Sequence, residues 1–206
     1  MVTSKKDIQH AITKSQHCQR NWDLSQKIPE DDLKLMIHAV TQCPSKQNES
    51  HYKVTIVTNR NIIEQIHNCT KGFKHHSLPD TINNPKTNPQ VLANAVFAFT
   101  IIEKEPKHSE DSWIEEITEE TKKQRFLSIG IASGYLNLTA TMLGYSTGCC
   151  SCIHDAKKIE ELIGVNPELL MGVGIKNIKR NRREHHIETN FMFPSFIKKI
   201  DYQILD

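Results

Sequence analysis

Apolar positions follow two different periods along this chain, and the two periods predict helices interleaved with strands. Helical spacing or capping residues predict helices over residues 5–16, 29–43, 62–69 and 156–163. Alternating, β-branched or continuous apolar residues predict strands over residues 52–58, 94–103, 149–153 and 169–175. No repeat or linker divides the sequence, so residues 1–206 are expected to form a single α+β domain.

The run of small and apolar residues from Ser128 to Cys150 predicts a long, buried central helix that ends at Gly144. Small side chains on this helix would let another helix or a flat ligand approach closely. They are Gly130, Ala132, Ser133, Gly134 and Ala140. We therefore expect a binding site at the loop that follows the helix.

Composition excludes several classes of protein. The mean hydropathy is −0.50, and no apolar run approaches the roughly 20 residues that a membrane helix needs. The first residues lack the apolar stretch of a signal peptide, and six sparsely spaced cysteines do not indicate a disulfide framework, so we expect reduced thiols and a cytoplasmic protein. The net charge of +2 demands no polyelectrolyte partner.

Four polar segments could carry chemistry. Residues 16–20 gather polar and basic groups that suit a phosphate, or form a solvated helix end. Residues 44–48 form a turn whose Ser and Asn could reach a ligand or satisfy local backbone groups. The thiols at 149, 150 and 152 lack the spacing of a zinc site, so no metal is expected. Residues 176–183 contain five basic side chains, which could bind a compact anion, bind nucleic acid or be a solvated surface.

Taken in order, these segments resemble the nitroreductase family of flavin enzymes. The resemblance spans residues 8–186 and rests on motif order: the bend at 16–22, Pro44-Ser45-Lys46-Gln47-Asn48, Leu143-Gly144-Tyr145-Ser146-Thr147, Gly172-Val173-Gly174 and the basic segment Arg180 to Arg183. It implies an α+β layered sandwich with a mixed, mainly antiparallel central sheet flanked by helices, in an interlocked homodimer. A C-terminal arm, residues 187–206, would pack on the partner subunit.

The resemblance also implies FMN as cofactor and NADH or NADPH as electron donor. Hydride would pass through the flavin to a nitroaromatic, a quinone or a similar acceptor in alternating half-reactions, with no catalytic side chain. The alternatives are a dehalogenase or dehydrogenase of the same fold, whose substrate lids would be residues 71–89 and 104–120, or an anion- or nucleic-acid-binding module that uses residues 176–183. On the enzyme hypothesis the partners are a second copy and a small molecule, with no nucleic acid and no membrane.

Matching positions give the residues that would hold FMN. The phosphate and ribityl chain would contact Gln16, His17, Cys18, Arg20, Arg180 and Arg182. The turn Pro44, Ser45, Lys46 and Asn48 would reach the flavin of the other subunit. The ring would lie against Cys149, Cys150 and Ser151, with Asn88 or Lys86 at its pyrimidine edge. Because the family's usual arginine and serine in the bend are replaced by Gln16 or His17 and by Cys18, phosphate binding would depend more on Arg20 and the C-terminal arginines.

Overall fold

Five α-helices and four strands make up the part of the chain that the structure, a computed structural model, describes: residues 4–45, 48, 51–72, 87–102, 119–187, 192, 193, 195 and 200–205. In chain order they are α1 (Lys5–Ser15), α2 (Glu30–Thr41), β1 (Tyr52–Val57), α3 (Arg60–Asn68), a 3-10 turn (Pro89–Val91), β2 (Ala95–Ile101), α4 (Glu119–Met142), β3 (Ser146–Cys150), α5 (Ala156–Ile163) and β4 (Leu169–Gly174). Most of the expected substrate lids at 71–89 and 104–120, and part of the predicted arm at 187–206, lie outside the described residues.

The four strands form one antiparallel sheet in the order β1-β2-β4-β3. Strand β2 lies inside the sheet, and both of its faces are buried: Phe97 and Phe99 point to one side, Val96 and Ala98 to the other. A strand covered on both faces needs apolar residues at every position. The continuous apolar run therefore predicted a central strand correctly.

Helices cover both faces of the sheet. On one face Met36 of α2 and Leu136 of α4 pack against Phe97 and Phe99, and α1 packs on the outside of α4. On the other face α3 and α5 contribute Ile63 and Ile159. This three-layer arrangement confirms the α+β layered sandwich expected from the sequence, and burial of the two apolar faces is the main force that holds it together.

Several predicted boundaries differ from the structure. Helix α2 ends at Thr41 rather than at residue 43, and β3 spans Ser146–Cys150 rather than residues 149–153. The strand starts early because Gly144, with φ +91°, turns the chain sharply at the end of α4, and Ser146 already pairs with Gly174. Ile153 instead forms a separate bridge with Thr70.

The prediction that α4 is buried holds for one face only. Ala132, Leu136 and Ala140 are buried, whereas Leu127 and Tyr135 on another face are 58% and 46% exposed. A Cβ atom added at the helix glycines 130 and 134 would meet nothing within 4 Å. The close approach expected at these small residues therefore does not occur within the described chain. None of the described helices is both long and apolar enough to cross a bilayer.

Candidate functional site

Two segments from opposite ends of the chain meet beside the sheet. The segment after α1 runs antiparallel to the segment after β4: Trp22 bridges Lys176, the Asp23 amide donates to the Ile175 carbonyl at 2.7 Å, and the Asn177 amide donates to the Asn21 carbonyl at 3.0 Å. This pairing brings the bend at residues 16–20 next to the basic segment at 176–183. The two segments, which the resemblance assigns to one phosphate site, therefore lie side by side in the fold.

The Asn21 side chain holds the basic segment in place. Its side chain is fully buried, and its Nδ2 donates to the carbonyls of Asn181 and Glu184 at 2.8 and 2.7 Å. The two hydrogens of this amide nitrogen satisfy both carbonyls at once. Asn21 therefore sets the position of the loop that carries Arg182.

A pocket of about 350 Å³ opens between these segments and the end of α4. Its lining contains basic side chains and no carboxylate among the residues that the structure describes. The basic lining residues are Lys14, His17, Lys176, Arg180 and Arg182. Such a pocket favours a compact anion because no carboxylate of the described lining opposes a negative charge. Lys14, His17 and Lys176 are exposed to water, whereas Arg182 is half-buried.

The two predicted arginines of this pocket differ in their partners. Arg180 is already engaged: its Nε donates to Glu184 at 3.1 Å, and its two terminal nitrogens donate to the carbonyls of His186 and His185 at 2.9 Å each. Arg182 makes a single long hydrogen bond, from Nη1 to the Cys18 carbonyl at 3.5 Å. Arg182 therefore has donors to offer a ligand, whereas Arg180 mainly holds the loop in shape.

Arg20 lies at the inner end of the bend. Its guanidinium carbon is 4.3 Å from the centre of the Phe193 ring, and burial lowers its pKa. Its Nε is buried and has no hydrogen-bond partner within the described structure. A buried donor without a partner is costly, and an oxygen ligand would remove that cost.

Two thiols, those of Cys18 and Cys149, lie close to Arg20 and Arg182. The Sγ atoms of Cys18 and Cys149 are 4.0 Å apart. The hydrogen bond between the two thiols, together with Arg20 and Arg182, lowers the pKa of the Cys18 thiol, while the same hydrogen bond raises the pKa of Cys149. Arg182 and partial burial also lower the pKa of His17.

Glycines let the backbone approach closely beside the thiols. A Cβ atom at position 148 would lie 2.8 Å from the Gln19 carbonyl oxygen, and one at position 172 would lie 2.1 Å from the Gln90 carbonyl oxygen. Side chains at these positions would therefore push the bend and the 3-10 turn away from the sheet. The two glycines account for how tightly the site is built on β3 and β4.

Other predicted residues lie apart from this pocket. Asn88 is buried and caps the 3-10 turn, where its side chain accepts from the Gln90 amide at 3.1 Å, and it also contacts Cys150. Burial raises the pKa of Cys150 to about 11. Gln16 is exposed and bonds its own helix, and Ser151 is exposed after β3.

The predicted turn at residues 44–48 lies at the end of α2, away from the pocket lining. Pro44 is exposed, the Ser45 hydroxyl is buried without a partner among the described residues, and Asn48 has φ +61°. Lys46 and Lys86 lie outside the described residues.

Sequence reasoning missed Lys14 and did not select Lys176, although both line the pocket. Lys14 lies in the last turn of α1, just before the bend. A basic residue at that position was the sequence signal that could have identified it as part of the pocket. Gln19 was also missed: its amide donates to the Thr147 carbonyl at 2.8 Å and ties the bend to β3. The sequence could not reveal this contact, because a backbone hydrogen bond does not depend on the type of side chain.

The model of the nitroreductase family matches residues 14–175, which is most of the chain. The chain belongs to the nitroreductase family. No curated protein sequence matches it. Membership in the nitroreductase family supports an oxidoreductase, and it confirms the family resemblance found from motif order.

Solved nitroreductase structures share the fold at low sequence identity. A nitroreductase family protein from Clostridium novyi NT is 19% identical, with 85% of this chain and 89% of that one covered and a TM-score of 0.60. Nitroreductase A from Vibrio parahaemolyticus is 15% identical, with 97% and 78% covered and a TM-score of 0.65. A nitroreductase with bound FMN from Bacteroides fragilis is 14% identical, with 97% and 98% covered and a TM-score of 0.62.

Proposed function

We propose that this nitroreductase family protein is an FMN-dependent NAD(P)H oxidoreductase. The observation that carries the proposal is the basic pocket, which brings together residues from both ends of the chain and has no carboxylate in its described lining. A similar protein from Bacteroides fragilis is described with bound FMN. The pocket fits the dianionic phosphate of that cofactor in charge and in the type of donors it offers.

The phosphate contacts would come from Arg182, Lys176 and Lys14, which line the pocket. Arg20, predicted as a phosphate contact, is not among the lining residues and would contribute its positive charge from the end of the bend. Arg180 would contribute indirectly, by holding the loop that carries Arg182, because its own donors are already bound to Glu184 and two carbonyls. Gln16, His17 and Cys18 would complete the bend around the phosphate and ribityl chain.

Residues of β3 and its following loop would position the flat ring. The exposed Cys149 would contact the ring, and the amides near Cys150 and Ser151 would stabilise negative charge on it. Asn88 and Lys86 remain proposed contacts at the pyrimidine edge. FMN supplies the chemistry: hydride from NADH or NADPH is passed to a small acceptor such as a nitroaromatic or a quinone. We propose no side chain as acid or base.

The protein would act as a homodimer. Leu127, Ile131 and Tyr135 follow one another at four-residue intervals on α4 and form an exposed apolar stripe, 40% or more exposed each. A second copy covering this stripe would remove apolar area from water. Pro44, Ser45, Lys46 and Asn48 would then reach the partner's flavin, and the arm at 187–206 would pack on the partner. The free state of all six cysteines suits the cytoplasm, where we propose that the protein resides.

The basic segment suits a pocket ligand better than a polyanion such as nucleic acid. Three of its five basic residues donate hydrogen bonds to their own chain: Arg180, Arg182 and Arg183. A surface that binds nucleic acid would instead present its cations outward. The contacts of this segment therefore favour the enzyme over the binding module.

Flavin titration tests the proposal. We expect the purified protein to bind FMN in a ratio of one per chain, to bind riboflavin at least about tenfold more weakly because the phosphate contacts are lost, and to reduce the bound flavin with NADH or NADPH under anaerobic conditions. Equal affinity for FMN and riboflavin would remove the proposed role of the basic pocket. A protein that takes up no flavin would refute the function.

A further inference from the structure

The close pair of thiols at the bend has no role in the proposed hydride chemistry. Cys18 and Cys149 are 131 positions apart in the sequence, yet their Sγ atoms are 4.0 Å apart. The hydrogen bond from the Gln19 amide to the Thr147 carbonyl holds the two segments together one and two residues away from the thiols. The fold therefore holds the two thiols close together.

The two thiols are not equivalent. The two thiols share a hydrogen bond in which either sulfur can donate. This bond, together with the nearby Arg20 and Arg182, lowers the pKa of Cys18 although burial opposes it, and the same bond raises the pKa of Cys149. One member is thus disposed to be the thiolate and the other to remain a thiol, which is the division of roles between an attacking and a resolving cysteine.

Small oxidants can reach the pair. Cys149 is exposed and Cys18 is half-buried, whereas Cys43, Cys69 and Cys150 are buried. Burial raises the pKa of both Cys69 and Cys150, which makes these thiols less reactive. Cys152 is also exposed, so its rate of oxidation provides a comparison within the same chain.

We propose that Cys18 and Cys149 form a redox-active dithiol that reacts with hydroperoxides. The Cys18 thiolate attacks one oxygen of hydrogen peroxide, the O–O bond breaks, and the leaving hydroxide takes a proton to become water, which leaves Cys18 as a sulfenic acid. The Cys149 sulfur then attacks the Cys18 sulfur, its proton joins the departing hydroxyl, and a second water leaves as the disulfide forms. Two thiols are oxidised and one peroxide is reduced, and a dithiol reductant restores the pair.

The geometry allows the second step with a small adjustment. The sulfur atoms must close from 4.0 Å to about 2 Å. The proposed FMN site includes both thiols, so bound FMN would cover them and the reaction belongs to the flavin-free chain. Its test uses that chain, so its result is independent of the flavin titration.

Peptide mapping of the full chain tests the dithiol. Trypsin releases Cys18 in the peptide 15–20 and Cys149 in the peptide 126–157. After treatment with a small excess of hydrogen peroxide and blocking of remaining thiols, we expect these two peptides to be joined, with the loss of two hydrogen atoms, and to separate on treatment with dithiothreitol. We expect Cys18 to be consumed at least about tenfold faster than Cys152.

Three variants assign the partner. Cys152→Ser should keep the joined peptides. Cys149→Ser should lose them and instead let dimedone label Cys18 as a trapped sulfenic acid. Cys18→Ser should lose both signals. Peptides that never join in the wild-type chain, or that still join in Cys149→Ser, would overturn the proposal, and the wild-type result stands even if a variant folds poorly.

Discussion

The backbone amide of Gln19 donates a 2.8 Å hydrogen bond to the carbonyl of Thr147, and this bond joins the bend after α1 to strand β3. The contact is possible because the next residue, Gly148, has no side chain to hold the bend away. Cys18 precedes one partner and Cys149 follows Gly148, so this short piece of backbone pairing controls the spacing of the whole site. It is also the contact that a single added methyl group would disturb.

We expect Gly148→Ala to destabilise the protein by about 1–3 kcal/mol, because the new Cβ atom would lie 2.8 Å from both the Gln19 carbonyl oxygen and the Gln90 Cβ. Urea unfolding at fixed protein concentration measures the change, and hydrogen exchange at the Gln19 amide should become faster. Ser146→Ala, in the same strand, adds no atom and should stay within about 0.5 kcal/mol of wild type. Equal stability of both variants would contradict the close approach.

The fold was largely predictable from the sequence, for physical reasons that differ between elements. The continuous apolar run of β2 shows in the sequence because both faces of that strand are buried, and Asp155 and Gly164 mark the ends of α5 because capping is local. The start of β3 was not predictable, because it depends on pairing between Ser146 and Gly174. The sequence also did not predict that one face of α4 is exposed, because small and apolar residues occur on all sides of this helix.

The site was predictable in outline and not in its contacts. Motif order indicated that residues 16–20 and 180–182 belong together, and the structure brings them together. The sequence did not separate the roles of Arg180 and Arg182, because these follow from the position of Glu184 and from carbonyl groups in the folded loop. Asn21, which holds that loop, has no distinguishing motif of its own.

Arg182→Gln should weaken FMN binding by about tenfold or more, because it removes a charged donor from the basic pocket, while riboflavin affinity should change little. Fluorescence titration with both flavins measures the difference. Lys157→Gln removes an equal charge at an exposed site outside the pocket lining and should leave both affinities unchanged. A similar loss for FMN and riboflavin would instead indicate general disruption of the site.

Asn21→Ala should lower the free energy of unfolding by about 2–3 kcal/mol, because it leaves the carbonyls of Asn181 and Glu184 without their buried donor. FMN affinity should fall as well, since the loop that carries Arg182 loses its support. Thermal or urea unfolding and flavin titration are the measurements. Asn61→Ala changes an exposed asparagine of α3 and is expected to do neither. The inference fails if the two variants behave alike.

His67 should make stability depend on pH. Burial, together with His185, His186 and Arg60, lowers its pKa from 6.5 to about 4, so the folded state favours the neutral ring. Between these pH values the unfolded chain binds the proton and the folded chain does not. The associated stability is therefore present above pH 6.5 and is lost as the pH falls to 4, amounting to about 3 kcal/mol.

Urea unfolding across that pH range measures this dependence. His67→Gln should flatten the profile, although His186, whose pKa burial also lowers, will keep part of the slope. His38→Gln replaces an exposed histidine of α2 and should leave the profile as it is. An unchanged slope in His67→Gln would show that the ring is not the group responsible.

The bonds from Asn21 to Asn181 and Glu184 join positions about 160 residues apart. During synthesis residues 14–20 leave the ribosome long before residues 176–184, so the basic pocket cannot form until both stretches have emerged. Any ligand of the pocket must therefore bind after the second stretch has been made, and a chain that stops before residue 180 would lack both loop arginines.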